Sequence, residues 1–252
     1  MAEEREPKSG GELREERKVV TTLFADLVGS TPLGERLEPE EARLVVGEAV
    51  ARMILEIERF GGRVKDLAGD GVLAFFGAPV AYEDDAERAV RAGLRIAEEI
   101  DAYAGEVERG WGIEGFGVRI GVATGPVVLG AIGAGARVEY AAFGDTVNTA
   151  ARLQAAAEPG TVLADADTRR QLEPLFEWGE ERAVELKGKT APVAASVARR
   201  PRPEAGMRRG LEGPEVDLVG RPAELTLVGE VLEAARAGSG GVVFVTGEAG
   251  IG

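Results

Sequence analysis

Short apolar bursts alternate along this chain with longer stretches whose apolar residues recur at helical spacing. Val19-Val20-Thr21-Thr22-Leu23-Phe24-Ala25 reads as a first strand. Leu44, Val45, Ala49, Val50, Met53, Ile54, Ile57 and Phe60 then follow a helical period, predicting an amphipathic helix that stops at Gly61-Gly62. The apolar runs Val64 to Leu67 and Val72 to Phe76 flank Gly69-Asp70-Gly71 and predict a hairpin. A second helix starts at Asp84-Asp85 and gathers Ala86, Ala89, Val90, Gly93, Leu94 and Ala97 on one face. A glycine-rich break from Gly105 to Gly117 precedes strands at Val118 to Ala123 and Val127 to Ile132. Further on, the pattern predicts a helix from Thr146 to about Ala157, a strand at Val162-Leu163 and a short helix near Thr168 to Leu172. Strands near Phe176 to Leu186 and Val193 to Val197 close the series.

The order βαββαβ, then more helix and strand, predicts an α+β fold: a ferredoxin-like antiparallel sheet with flanking helices. Residues 1–17 are charged or small and read as a disordered leader, and the domain spans 18–198. Residues 199–216, rich in proline, glycine and arginine, read as a linker. From 217 a new unit opens. It holds an amphipathic helix carrying Leu225, Val228, Val231 and Leu232, a strand Val242 to Thr246, and Gly247-Glu248-Ala249-Gly250-Ile251-Gly252. The outer glycines have the spacing of a phosphate-binding loop without the lysine and hydroxyl that complete one, so 217–252 reads as the truncated beginning of a P-loop ATPase domain.

Composition narrows the chemistry. Histidine and cysteine are absent, which removes imidazole bases, disulfides and thiolate metal sites. A formal net charge of -14 disfavours nucleic acid as a partner. No apolar run is long enough to span a bilayer and no secretion signal opens the chain, so the cytoplasm is the expected compartment.

Chemistry then rests on carboxylates, amides and cations. Asp26 and Asp70 each lie at the end of an apolar run or in the turn after it, and the expected sheet brings them together. Two carboxylates on adjacent strands suit divalent cations, and glycine turns beside metals point to phosphate chemistry; simple turn aspartates are the alternative. Gly144-Asp145 marks a turn, with Asp145 or Thr146 as the cap of the helix behind it. Asn148 and Arg152, four apart, share a face of that helix. An amide and a fixed cation there suit a sugar oxygen and a phosphate developing charge, although a solvated helix face has the same pattern.

Three ordered motifs carry a resemblance: Phe24-Ala25-Asp26-Leu27-Val28-Gly29-Ser30-Thr31, Gly69-Asp70-Gly71-Val72-Leu73-Ala74-Phe75-Phe76-Gly77, and Gly144-Asp145-Thr146-Val147-Asn148-Thr149-Ala150-Ala151-Arg152. Over about Lys18 to Ala198 the chain resembles the class III nucleotidyl cyclases, the adenylate and guanylate cyclases. The resemblance implies that Asp26, Asp70 and the Leu27 carbonyl hold two Mg²⁺ or Mn²⁺ ions. It implies that Asn148 positions the ribose and Arg152 stabilises the transition-state phosphate. Lys187 or Lys189 is implied as a triphosphate-binding lysine, and Gly29, Ser30 and Thr31 as part of the substrate site. The substrate implied is a purine nucleoside triphosphate, ATP or GTP, and the working unit a homodimer sharing its sites between protomers.

Two positions depart from the adenylate pattern. Where such cyclases usually carry lysine, four residues before the second metal aspartate, this chain has Asp66. Where Asp or Thr is common, it has Ala141. Lys65 lies one residue early, which on a regular strand faces it the other way. An ionised Asp66 accepts hydrogen bonds only, matching the N–H donors of guanine and leaning toward GTP. The competing expectation is a weak or inactive regulatory module that binds nucleotide or dimerises to control an attached ATPase. Residues 219–221 and 247–252 resemble bacterial regulators that join a cyclase domain to a P-loop ATPase.

Overall fold

The computed structural model describes residues 16–134, 137–185, 192–202 and 222–239. Its centre is β1 (Glu16–Val28), rich in β-branched residues and flanked by two antiparallel partners. These are β3 (Gly71–Phe76), paired from Thr21↔Phe76 to Asp26↔Gly71, and β4 (Gly117–Ala134), paired from Glu16↔Leu129 to Val28↔Gly117. With β2 (Arg63–Ala68) beyond β3, the spatial order β2-β3-β1-β4 is the ferredoxin-like arrangement expected. One pair departs from a purely antiparallel sheet: β6 (Val162–Asp165) runs parallel to β4. The sheet continues through β9 (Val193–Pro201), on which β7 (Phe176–Trp178) and β8 (Arg182–Val184) pair. β9 extends through Pro201, into the stretch that composition assigned to the linker.

Strand alternation sorts β1 between two faces. Leu23, Ala25 and Leu27 join the core formed with α2 (Pro39–Arg59) and α3 (Asp85–Trp111). Phe24 faces the opposite layer, where Ala123, Ala150, Leu153, Ala157 and Leu163 cluster beneath α4 (Asp145–Ala156). Asp26, two residues from Phe24, shares that second face.

Several elements differ from the sequence pattern. Leu44 is 63% exposed, so the buried stripe of α2 begins at Val45 and runs through Ala49, Met53 and Ile57. α3 continues through Gly105 and Gly110 because its apolar face, ending in Ile100, Tyr103 and Val107, stays buried. The two strands expected on either side of Gly125 are one strand, β4, kept continuous by pairing with β1 from Gly117 to Leu129. β5 (Arg137–Phe143) folds back along its second half. A seven-residue helix, α1 (Ser30–Arg36), follows Gly29 and inserts the fully buried Leu33 into the core. Gly29 has φ 85, a left-handed conformation that favours glycine. The short helix α5 (Ala166–Leu172) is capped by Asp165, which accepts the Thr168 N–H.

The contact map divides the chain into one unit over Met1–Met207 and another over Arg208–Gly252. In the second, the expected amphipathic helix is α6 (Pro222–Arg236). The proposed phosphate-loop residues, 247–252, and residues 219–221 lie outside the described residues. Among the described residues no helix is long and apolar enough to cross a membrane.

Candidate active site

Asp26 sits near the end of β1, directly across from Gly71 on β3 and Arg119 on β4. Asp70 lies in the turn between β2 and β3, immediately before Gly71, so the hairpin delivers it to the same corner of the sheet. Both are half-buried. Burial pushes the Asp26 carboxyl above the usual range, the Asp70 charge pushes it further, and Arg119 and Gln154 oppose both effects. The two carboxylates predicted from the sequence are therefore close enough to feel each other.

Leu27 follows on β1 with its side chain buried in the opposite layer at 5% exposure. Gly29, Ser30 and Thr31 form the entry to α1 just beyond the strand. Lys187 and Lys189 fall outside the described residues. Ala141 lies on β5, where its backbone pairs with Gly130.

Asp66 reaches its place through a β-bulge. Val64 pairs with Ala74, yet Asp66 pairs with Leu73, leaving Lys65 as the extra residue. Ala74 belongs to the core beneath α2 and α3, whereas Leu73 packs with Val20, Phe75 and Val127 on the other face. The bulge thus moves Asp66 to the face that carries Asp26. Strict alternation, from which Lys65 was assigned to the opposite face from Asp66, does not hold across this bulge. Asp66 Oδ1 accepts the Leu67 N–H at 2.9 Å, and its side chain is exposed.

α4 is seated on bare backbone. A β-carbon on Gly121 would stand 2.1 Å from the Ala150 carbonyl oxygen and 2.3 Å from the Gln154 nitrogen. Its N-cap is Gly144, which provides no side chain. The capping role expected of Asp145 or Thr146 is not realised: Thr146 Oγ1 donates to the Pro126 carbonyl at 3.1 Å, pinning the helix start to β4. From this seat α4 turns Ala150, Leu153 and Gln154 inward and leaves Asn148 exposed and Arg152 half-buried. Among the described residues neither Asn148 nor Arg152 has a hydrogen-bonding or ionic partner; the contact from α4 to Asp26 is made by Gln154, whose Nε2 lies 3.4 Å from Oδ2.

Two polar residues of this corner escaped the sequence reading. Arg119 shares the Asp26 face, and its Nε is buried without a partner. Its signal was a lone cation among Val118, Ile120 and Val122, legible only with the β1–β4 register in hand. Gln154 was signalled by an amide inside the apolar spacing Ala150, Leu153, Ala157.

The donors suit a hard divalent cation: carboxylate oxygens, with a mutual repulsion that a cation relieves. Among the described residues no group of three or more acidic side chains is placed to hold a metal ion, so a cation at Asp26 and Asp70 would need further ligands from water or substrate phosphates.

Comparison with known proteins bears on the fold and the family. Adenylate cyclase 1 of Rhizobium meliloti is 36% identical over 138 residues, which are 55% of this chain and 21% of that protein. The adenylyl cyclase CyaB from P. aeruginosa superposes with a TM-score of 0.71 at 29% identity, covering 76% of this chain and 98% of that one. The guanylyl cyclase Cya2 does so with a TM-score of 0.70 at 31% identity, covering 75% and 95%. The chain thus spans about a fifth of the full-length Rhizobium relative and nearly all of the two crystallised domains. Residues 13–197 match the adenylate and guanylate cyclase catalytic domain, and this chain belongs to that family.

Proposed function

We propose that this chain is the catalytic domain of a purine nucleotidyl cyclase, converting a nucleoside triphosphate to its 3′,5′-cyclic nucleotide and pyrophosphate at a site shared by two copies. The observation that carries this is a division of labour within one chain. Asp26, Asp70 and Arg119 converge on one corner of the sheet, whereas Asn148 and Arg152 sit on the outward side of α4 and their side chains find no partner among the described residues. Groups that reaction chemistry needs together are thus presented on separate surfaces, as a shared dimer site requires.

Asp26, Asp70 and the Leu27 carbonyl are the ligands proposed for two Mg²⁺ or Mn²⁺ ions. Bound there, such ions supply positive charge to the ribose 3′-hydroxyl and the reacting phosphates. Arg119 adds a fixed cation beside Asp26, and its buried Nε has no hydrogen-bond partner. Asn148 of the partner subunit holds the ribose so that its 3′-oxygen meets the α-phosphate, and Arg152 of the partner subunit neutralises charge gathering there. Lys187 or Lys189 remains the proposed triphosphate-binding lysine, and Gly29, Ser30 and Thr31 the loop beside the phosphates.

Asp66, on the metal face and an acceptor, favours guanine over adenine. The deciding experiment incubates the purified protein with GTP or ATP and Mn²⁺ and measures cyclic nucleotide. Product that disappears in Asp26→Ala is expected, with GTP the better substrate. No product from either nucleotide overturns the enzyme reading and leaves a nucleotide-binding or dimerising module in its place.

A further inference from the structure

Gln154 stands where two functions of α4 meet. It is 8% exposed, its nitrogen is pressed against the bare Cα of Gly121, and its side-chain amide points to Asp26. Residues two apart on a helix face opposite directions and those four apart the same direction. Gln154 therefore looks inward to the metal carboxylate while Arg152 and Asn148 look outward from the same rigid segment. α4 is a short helix resting on backbone, with Thr146 tied to Pro126 at one end and Gln154 tied to Asp26 at the other. A change at Asp26 has a direct route to the helix that carries the outward pair.

We propose that Gln154 is a positioning residue that couples the metal carboxylate Asp26 to α4, so that cation binding in a subunit sets the placement of that subunit's own Asn148 and Arg152. This deepens the proposed function and rests on its assignment of Asp26 to a divalent cation. In a shared dimer, the pair so placed serves the partner's site, and the two centres are thereby linked. At 3.4 Å the contact is long for a hydrogen bond, which leaves room for it to shorten when a cation fixes the carboxylate.

The test uses the full chain, Mn²⁺ alone as the probe, and Gln154→Met, which keeps the length of the side chain and removes the amide. Calorimetry reads Mn²⁺ affinity, and hydrogen exchange reads the amides of residues 147–154. In the parent, Mn²⁺ slows exchange across α4. In Gln154→Met, Mn²⁺ still binds, about fivefold more weakly, and the slowing of α4 is lost, while the metal-free melting temperature stays within a few degrees of the parent. A merely structural glutamine would lower stability and leave the Mn²⁺ response of α4 intact. Equal slowing of α4 by Mn²⁺ in parent and variant, or binding to the parent without any slowing, overturns the coupling alone. Failure of the parent to bind Mn²⁺ any better than Asp26→Ala overturns the metal assignment, and the coupling with it.

Discussion

Gly121 lies directly beneath Gln154, so close that a β-carbon on it would stand 2.3 Å from the Gln154 nitrogen. Backbone cannot yield as a side-chain tip does, so even the smallest side chain must lift α4 from the sheet. Gly121→Ala is expected to cost roughly 1–3 kcal/mol of stability by urea unfolding. It should also reduce cyclase turnover more than stability alone explains. Gly117→Ala, on the same strand with open space at its Cα, should leave both within error.

Arg119 faces Asp26 across the β1–β4 ladder, and its buried Nε has no hydrogen-bond partner. Removing the cation in Arg119→Met should raise the KM for nucleotide about tenfold, the effect of losing one charge-assisted hydrogen bond. Arg119→Lys keeps the charge and loses the fork, so its KM should fall between the two. Steady-state kinetics at saturating Mn²⁺ check this, and an unchanged KM in Arg119→Met would remove Arg119 from the phosphate site.

Asp66 is brought to the face that carries Asp26 by the bulge at Lys65. Asp66→Lys exchanges an acceptor for a donor and should shift the preference between GTP and ATP about tenfold toward ATP. Competition between the two nucleotides in one reaction measures the ratio. A parent that already turns over ATP faster than GTP contradicts the base-reading argument.

Asp26→Ala and Arg152→Ala should each be inactive as pure proteins. Mixed in equal amounts and allowed to exchange subunits, they should recover about a quarter of parental turnover, because half the dimers are mixed and each of those holds one intact site of two. No recovery in a mixture that demonstrably exchanges would place all catalytic groups within one chain.

Asp165 gives the fold a pH dependence separate from the site. Burial raises its carboxyl above the usual value, against the Thr168 and Thr124 hydrogen bonds that lower it. The folded state therefore holds the proton more tightly than the unfolded chain, so this group favours folding most below the unfolded value near 3.8. That contribution declines as pH rises through the folded value. Asp165→Asn keeps a cap acceptor and cannot ionise, so its stability relative to the parent should improve from pH 4 toward neutrality. Asp165→Ala loses the cap and should cost about 1 kcal/mol near neutrality. Thermal melts across that range read both.

Legibility followed the range of the interactions. Asp26 and Asp70 were readable because short apolar runs, a glycine turn and a ferredoxin-like order together force the end of β1 beside the β2–β3 hairpin. The helix bearing Asn148 and Arg152 was readable from its spacing, and the family from three motifs in order. Leu44, the unbroken β4 and the long α3 were misread because local glycines and apolar residues carry no record of the strands and helices that later cover them. The capping of α4 went the same way: Thr146 spends its hydroxyl on Pro126, a tertiary partner no local rule contains.

The sequence by itself determined most of the elements, their order and the identity of the charged groups, since periodicity, turn residues and side-chain chemistry are local properties. Only the tertiary structure decided which groups share a face. The bulge at Lys65 carries Asp66 across to Asp26, the β1–β4 register sets Arg119 opposite the same carboxylate, and the bare backbone of Gly121 lets α4 descend until Gln154 reaches it. Register, bulges and close backbone approach depend on two segments at once, and one strand or helix read alone holds half of each.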